Sequence, residues 1–174
     1  MRTAATPEDR LNTVRAVLMA VSGLLALAKL RRPTTRRTLA LLHELLVEQA
    51  LKFNPNVVVI GDEKKYTKVK EALKATDVKV FCGEKALEEV AAMDCYDMML
   101  AAIVGYAGLK PTLKAIENGK AIGLANKETL VVAGDIVMRK AVENKVPIIP
   151  VDSEHSAIFQ CLVVETRNRI EKII

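Results

Sequence analysis

No tryptophan occurs in the 174 residues, and aromatic residues make up only 3%. That scarcity argues against a stacking platform for single-stranded nucleic acid. There are three cysteines, Cys82, Cys95 and Cys161, widely spaced and without a CxxC. They form neither a disulfide framework nor a zinc knuckle, and a reducing compartment is expected. There is no GxGxxG, since Gly105 and Gly108 supply only a GxxG. A phosphate loop of the GxxxxGK type is absent too, because Lys114 stands where its first glycine should precede Gly119-Lys120. His43-Glu44 is not a zinc-protease motif, because Val47 replaces the second histidine, and His43 reads as an ordinary helix residue. The longest mostly apolar run, Ala16–Ala28, is 13 residues, whereas a spanning helix needs about 20. It reads as a short helix followed by a basic stretch. Ala26-Leu27-Ala28 also resembles an export cleavage site, but Glu8 and Asp9 before it and four arginines after it fit that poorly.

What is present is 51% hydrophobic and 27% charged residues, the composition of a globular protein. The net charge of +5 is unevenly placed. Residues 1–42 hold seven Arg and one Lys against Glu8 and Asp9, whereas residues 43–174 hold 18 basic and 19 acidic side chains. The body is therefore neutral, and a whole-protein nucleic-acid binder loses its support.

From Leu41 onward the hydrophobic period alternates between helix and strand. LLHELLVEQALKF reads as an amphipathic helix ending near Asn54-Pro55. Asn56–Gly61 is a β-branched run, the mark of a strand buried on both faces. Helices are expected over Lys64–Lys74, Glu84–Met93, Leu109–Glu117, Glu128–Asn144 and from Glu154 to Leu162. Strands are expected over Val78–Cys82, Asp97–Val104, Ala121–Ala125 and Val146–Val151. This alternation predicts an α/β fold, a parallel sheet with helices on both faces.

Three strand-to-helix junctions carry the polar chemistry. Ligands of parallel sheets bind at the carboxyl ends of strands, so Gly105-Tyr106-Ala107-Gly108 is either a place where a ligand approaches the backbone or a plain turn. Asn126-Lys127-Glu128 offers an amide, a cation and a carboxylate to one ligand. Alternatively, Asn126 caps the next helix and its neighbours are solvated. In Pro150-Val151-Asp152-Ser153-Glu154-His155, residues two apart on an extended segment point the same way. Asp152 and Glu154 could then converge on one hard cation, completed by substrate oxygens, water or a further acid. The alternative has Asp152 or Ser153 capping the next helix, with Glu154 in its first turn. Cys161 and His155 are six apart and point to different faces, so no Cys–His nucleophile is expected and Cys161 is assigned to the core.

Together, Ala101-Ala102-Ile103-Val104-Gly105-Tyr106-Ala107-Gly108-Leu109-Lys110-Pro111-Thr112, Leu124-Ala125-Asn126-Lys127-Glu128-Thr129-Leu130-Val131 and Pro150-Val151-Asp152-Ser153-Glu154-His155-Ser156-Ala157-Ile158-Phe159-Gln160-Cys161 closely resemble the 1-deoxy-D-xylulose 5-phosphate reductoisomerase family. The resemblance runs from about Leu45 to Ile174. It implies a Rossmann-like NADPH domain followed by a catalytic domain. The implied reaction isomerises deoxyxylulose phosphate and reduces it with NADPH to methylerythritol phosphate, a step of non-mevalonate isoprenoid synthesis. The family uses a divalent cation, Mg²⁺ or Mn²⁺. By resemblance Asn126 and Glu128 contact NADPH, and Lys127 binds substrate. Asp152 and Glu154 ligate the metal, while Ser153 and Glu154 also touch substrate. Lys127, Asp152 and Glu154 are the implied catalytic set. A sugar-phosphate substrate, a cytoplasmic location and, for the full-length family, a homodimer are implied by the resemblance, with no nucleic-acid or membrane partner.

The family also opens with a strand and a GxTGxxG loop, which residues 1–44 do not contain. The expectation is a non-matching arm over 1–44, a partial NADPH domain over 45–150 and the start of a catalytic domain over 151–174. Such a chain is expected to be a fragment, inactive alone. Two other readings compete with it: a non-catalytic nucleotide-binding or interaction module, and an exported or anchored protein led by residues 14–30.

Overall fold

The computed structural model describes residues 36–163 together with Ile170 and Lys172. The apolar run Ala16–Ala28, and with it the export reading, lies outside the described residues. Helix α1 spans Arg36–Phe53, so the boundary expected at Leu45 falls inside a helix. It stops where Asn54 turns left-handed at φ 45°, a conformation that asparagine tolerates, and where Pro55 cannot supply the next helical N–H.

Strand β1 is Val57–Ile60, and all four of its residues are buried. It pairs in parallel with β2, Lys79–Cys82, placing Val57 opposite Lys79 and Ile60 opposite Cys82. Between them runs α2, Glu63–Ala72, whose first turn is capped by Asp62 accepting the Lys64 N–H at 3.0 Å. After β2 comes α3, Glu84–Ala91. A second parallel sheet has the order β3-β4-β5, with β3 at Met98–Ala101, β4 at Ala121–Leu124 and β5 at Ile148–Pro150. Helix α4, Leu109–Glu117, connects β3 to β4, and α5, Glu128–Glu143, connects β4 to β5. Helix α6, Ser153–Val163, follows β5.

The alternation of elements is as the periodicity predicts, and the protein is α/β with parallel strands flanked by helices. Two details differ. Among the described residues the strands form sheets of two and three rather than one. Strand β3 is also shorter than Asp97–Val104, and Met98 is exposed. Its ladder ends because the Ala101 carbonyl accepts both the Ala125 and the Asn126 N–H, at 3.0 and 2.9 Å. Beyond that fork the chain turns away toward Gly105.

The core follows from this layering. Ile122 of β4 meets Ala115 and Ile116 of α4 and Val137 and Ala141 of α5, all buried. Val58 and Ile60 pack with Leu46 and Ala50 of α1 and with Val69 of α2 and Leu73 just after it. The opposite face of β1, Val57 and Val59, rests on Ala86 and Val90 of α3. Met93 packs against both the first and third clusters and joins the two sheets through apolar contact. Polar clamps reinforce the second sheet. Buried Tyr96 donates to the Ala91 carbonyl at 2.5 Å, and Lys120 lies 5.2 Å over its ring while reaching Asp94 at 3.3 Å. On the outside, Lys140 of α5 reaches Glu117 of α4 at 2.7 Å.

The Lys140 ammonium, hydrogen-bonded to Glu117, outweighs partial burial and holds the Glu117 carboxyl below its ordinary 4.5. A depressed carboxylate contributes stability above its unfolded pKa and loses it as pH falls through the lower folded value. Both side chains are about a third exposed, so solvent screens the pair. Urea denaturation of Lys140→Met should therefore show a loss of only about 0.5 kcal/mol at pH 7, in the range of exposed pairs. The difference from the unsubstituted chain should vanish in acid, once Glu117 is protonated in both.

Candidate functional site

Because β3, β4 and β5 are parallel, the three polar junctions leave the same edge of the sheet. A side-chain amide ties the first two. Asn126 is buried, and its Nδ2 donates to the Ile103 carbonyl and, at 3.0 Å, to the Gly105 carbonyl. Its Oδ1 accepts the Thr129 N–H at 3.2 Å, capping α5. Both ends of the amide are thus used within the protein. The capping alternative describes this side chain, with a brace to the neighbouring loop that the sequence did not indicate.

The glycines of that loop are needed for different reasons. Gly105 has φ +75° and open space around it, so conformation alone demands glycine there. Gly108 has ordinary backbone angles, but a Cβ on it would lie 2.7 Å from Asn126 Nδ2 and 2.8 Å from the Ile103 oxygen. Thr112, buried in α4, donates its hydroxyl to the Gly108 carbonyl at 2.7 Å. The Gly105–Gly108 segment, which contains the 3-10 turn Tyr106–Gly108, is held from both sides. Beside it a cleft of about 180 Å³ opens, lined by Glu84, Leu87 and Glu88 of α3 and by Tyr106, Ala107 and Lys110. Tyr106 is 63% exposed there.

The third junction is tied to the second by charge. Lys127 Nζ lies 3.3 Å from Glu154 Oε1, and the Ser153 hydroxyl donates to Glu154 Oε2 at 3.2 Å. The backbone N–H of Glu154 itself, then Lys127 and Ser153, hold this carboxyl below its ordinary range. Asp152 stands just before α6. Its Oδ2 lies 2.6 Å from His155 Nδ1 and accepts the His155 N–H at 3.3 Å. Partial burial works to raise the Asp152 carboxyl, but the His155 ring and N–H outweigh it and keep it low. The capping alternative is therefore realised here as well, with Glu154 in the first turn of α6. An extended segment with both carboxylates on one side is not what forms, because the Ser156 N–H already bonds the Asp152 carbonyl at 3.0 Å. Glu128, the first residue of α5, is exposed.

One expectation is overturned. Cys161 is exposed rather than core, because none of the residues of α6 is buried. His155 and Thr112 were not singled out as partners. Both sit at offsets that carry a signal: His155 three after an Asx cap, and Thr112 four after the carbonyl it bonds. Among the described residues, no three His, Cys, Asp or Glu side chains cluster closely enough to hold a metal unaided. No helix among them is long and apolar enough to cross a membrane.

Comparison with known proteins follows the same outline. The family model described as 1-deoxy-D-xylulose 5-phosphate reductoisomerase matches residues 38–134. Proteins of that name from Phocaeicola vulgatus and Clostridium perfringens are 56% identical over 131 residues and 49% over 133. Each alignment covers 75% of this chain, and 34% and 35% of those proteins respectively. The chain thus spans about a third of the length of the curated relatives it matches. The Zymomonas mobilis enzyme in complex with NADPH superposes with a TM-score of 0.66 at 45% identity, over 68% of this chain and 31% of that one. A DOX-P reductoisomerase in complex with NADPH, fosmidomycin and magnesium gives 0.66 at 39% identity, over 68% and 29%.

The two glycine constraints separate cleanly in an alanine series read by thermal and urea unfolding. Gly108→Ala should cost about 1–3 kcal/mol through overpacking against Asn126 and Ile103. Gly105→Ala should cost about 1–3 kcal/mol, because φ 75° with ψ −163° lies in a backbone region essentially reserved for glycine. Gly61→Ala meets nothing within 4 Å and has no positive φ, so it should be neutral or slightly stabilising through the unfolded state.

Proposed function

Given that the chain belongs to the 1-deoxy-D-xylulose 5-phosphate reductoisomerase family, we propose that it supplies the NADPH-facing and cation-facing loops of that reaction. The observation that carries this reading is the linkage of three junctions at one sheet edge. Asn126 bonds the Gly105 loop, and Lys127 bonds Glu154 beside Asp152. The division into an arm over 1–44, an NADPH domain over 45–150 and the start of a catalytic domain over 151–174 goes with it.

The donor set suits the groups the family requires. Two carboxylates and a hydroxyl, Asp152, Glu154 and Ser153, are hard oxygen donors fitting Mg²⁺ or Mn²⁺, with substrate oxygens or water completing the shell. Gly105 has open space where a side chain would stand, so its backbone is open to a cofactor. NADPH supplies the hydride, and the cation polarises substrate oxygens. Within that scheme Lys127, half-exposed at the start of α5, holds an anionic substrate. Asp152, whose carboxyl the His155 ring and N–H hold below its ordinary range, supplies a carboxylate ligand. Asn126 fixes the spacing between the loops rather than offering its amide to the cofactor, whereas Glu128 remains free to meet it. The sugar phosphate is the small-molecule partner. The same reading gives a cytoplasmic location without nucleic-acid or membrane partners, and a homodimer for the full-length family.

A chimera tests this. In the Phocaeicola vulgatus relative, the 131 matching residues are replaced by those of this chain. We expect turnover of deoxyxylulose phosphate with NADPH and Mg²⁺, reduced about a hundred-fold or more by Lys127→Met or Asp152→Asn, since both act on developing charge. An inactive but folded chimera would favour a non-catalytic module. The 174-residue chain alone should bind NADPH more weakly than micromolar by calorimetry. Its sequence holds no GxTGxxG loop to present backbone N–H groups to the pyrophosphate.

A further inference from the structure

Each acidic side chain assigned to the cation already has a cationic or donor partner. Asp152 is held by His155 at 2.6 Å, and Glu154 by Lys127 at 3.3 Å. The two contacts differ in consequence. His155 is three residues after Asp152 and shares its helix cap, so that contact is local. Lys127 reaches Glu154 from another junction, 27 residues away. It is also the side chain assigned to the anionic substrate.

We propose that the Lys127–Glu154 ion pair is an exchange latch that couples cation binding to anion binding. One ammonium and one carboxylate neutralise each other when neither ligand is present. A divalent cation that takes Glu154 releases Lys127, which is then free for a phosphate or enediolate oxygen. An anion that takes Lys127 releases Glu154 for the cation. Each ligand removes the competitor of the other, so their affinities rise together by the same factor, as linkage requires. Both side chains are more than half exposed, so the factor is modest and both can change partner without disturbing the core. The inference rests on the cation reading above and adds its coupling to the lysine.

The test reads Lys127 directly, without turnover. The whole chain is acetylated briefly at neutral pH with and without Mn²⁺, and Lys127 is quantified by mass spectrometry against exposed Lys145. Mn²⁺ should raise Lys127 labelling roughly two- to five-fold, the range expected from breaking an exposed pair. In Glu154→Gln the labelling should be high already and indifferent to Mn²⁺. By Mn²⁺ electron paramagnetic resonance, Lys127→Met should bind the cation more tightly than the unsubstituted chain by a similar factor. Labelling that ignores Mn²⁺, an equal response in Glu154→Gln, or unchanged affinity in Lys127→Met overturns the latch. If Mn²⁺ binding is nevertheless present and is lost in Asp152→Asn, the cation site stands and only the coupling fails. If the unsubstituted chain shows no saturable Mn²⁺ binding at all, site and latch fail together.

Discussion

One carboxamide organises the carboxyl edge of the second sheet. The Asn126 side chain gives its Nδ2 to the carbonyls of Ile103 and Gly105 and its Oδ1 to the Thr129 N–H. A buried amide with unmet donors or acceptors costs on the order of 1–3 kcal/mol, so each of these bonds constrains what surrounds it. Ile103 and Gly105 must present their carbonyls inward, which fixes the turn after β3. Gly108 must lack a Cβ because the amide occupies that space. The start of α5 is set by the cap, and with it the direction from which Lys127 projects. A carboxylate in the same place would face two carbonyl oxygens, and a smaller side chain would remove the side-chain donor from both, leaving the Gly105 carbonyl only the Gly108 N–H at 3.4 Å.

The short strands limit how much the sheet itself can do. β3 and β4 share four residues of ladder, and β5 adds three. The rigidity of the site comes instead from what flanks the ladder. The Ala101 carbonyl closes it with a fork of two bonds, and Thr112 ties α4 to the loop. The core behind is built mostly of aliphatic side chains, which fits a chain with so few aromatics. Ile122 and Val137 are fully buried there, and the polar edge is carried on a packed aliphatic layer. α5 departs from helical geometry at Ala133, with φ −145° and ψ 31°. It is therefore two helical pieces with separate tasks: the first presents Lys127 and Glu128, and the second holds Val137 and Ala141 against the sheet.

At the edge itself, polar side chains are paired locally. Lys127 faces Glu154, and His155 faces Asp152. Each of these four groups is ionic or polar and more exposed than the layer beneath, apart from Asp152, whose side chain is only 13% exposed. At this edge the buried part is backbone and amide, and the charged part is mostly solvent-facing.

The alternation of helix and strand, the element limits to within a few residues and the family motifs were legible in the sequence. Hydrophobic period and turn chemistry are local, and Leu109–Glu117 with its Asn118-Gly119 stop needs nothing distant to define it. Residue type and spacing at the strand ends also picked out the three junctions that the parallel strands bring to one edge. What each polar side chain does there was not legible, because its partner lies far along the chain. Asn126 finds Gly105 across 21 residues and Lys127 finds Glu154 across 27, and only packing β3, β4 and β5 side by side brings them within reach. The same holds for Cys161. An apolar helix pattern places a cysteine on a core face only if something covers that face, and cover is decided by the neighbouring elements, not by the helix.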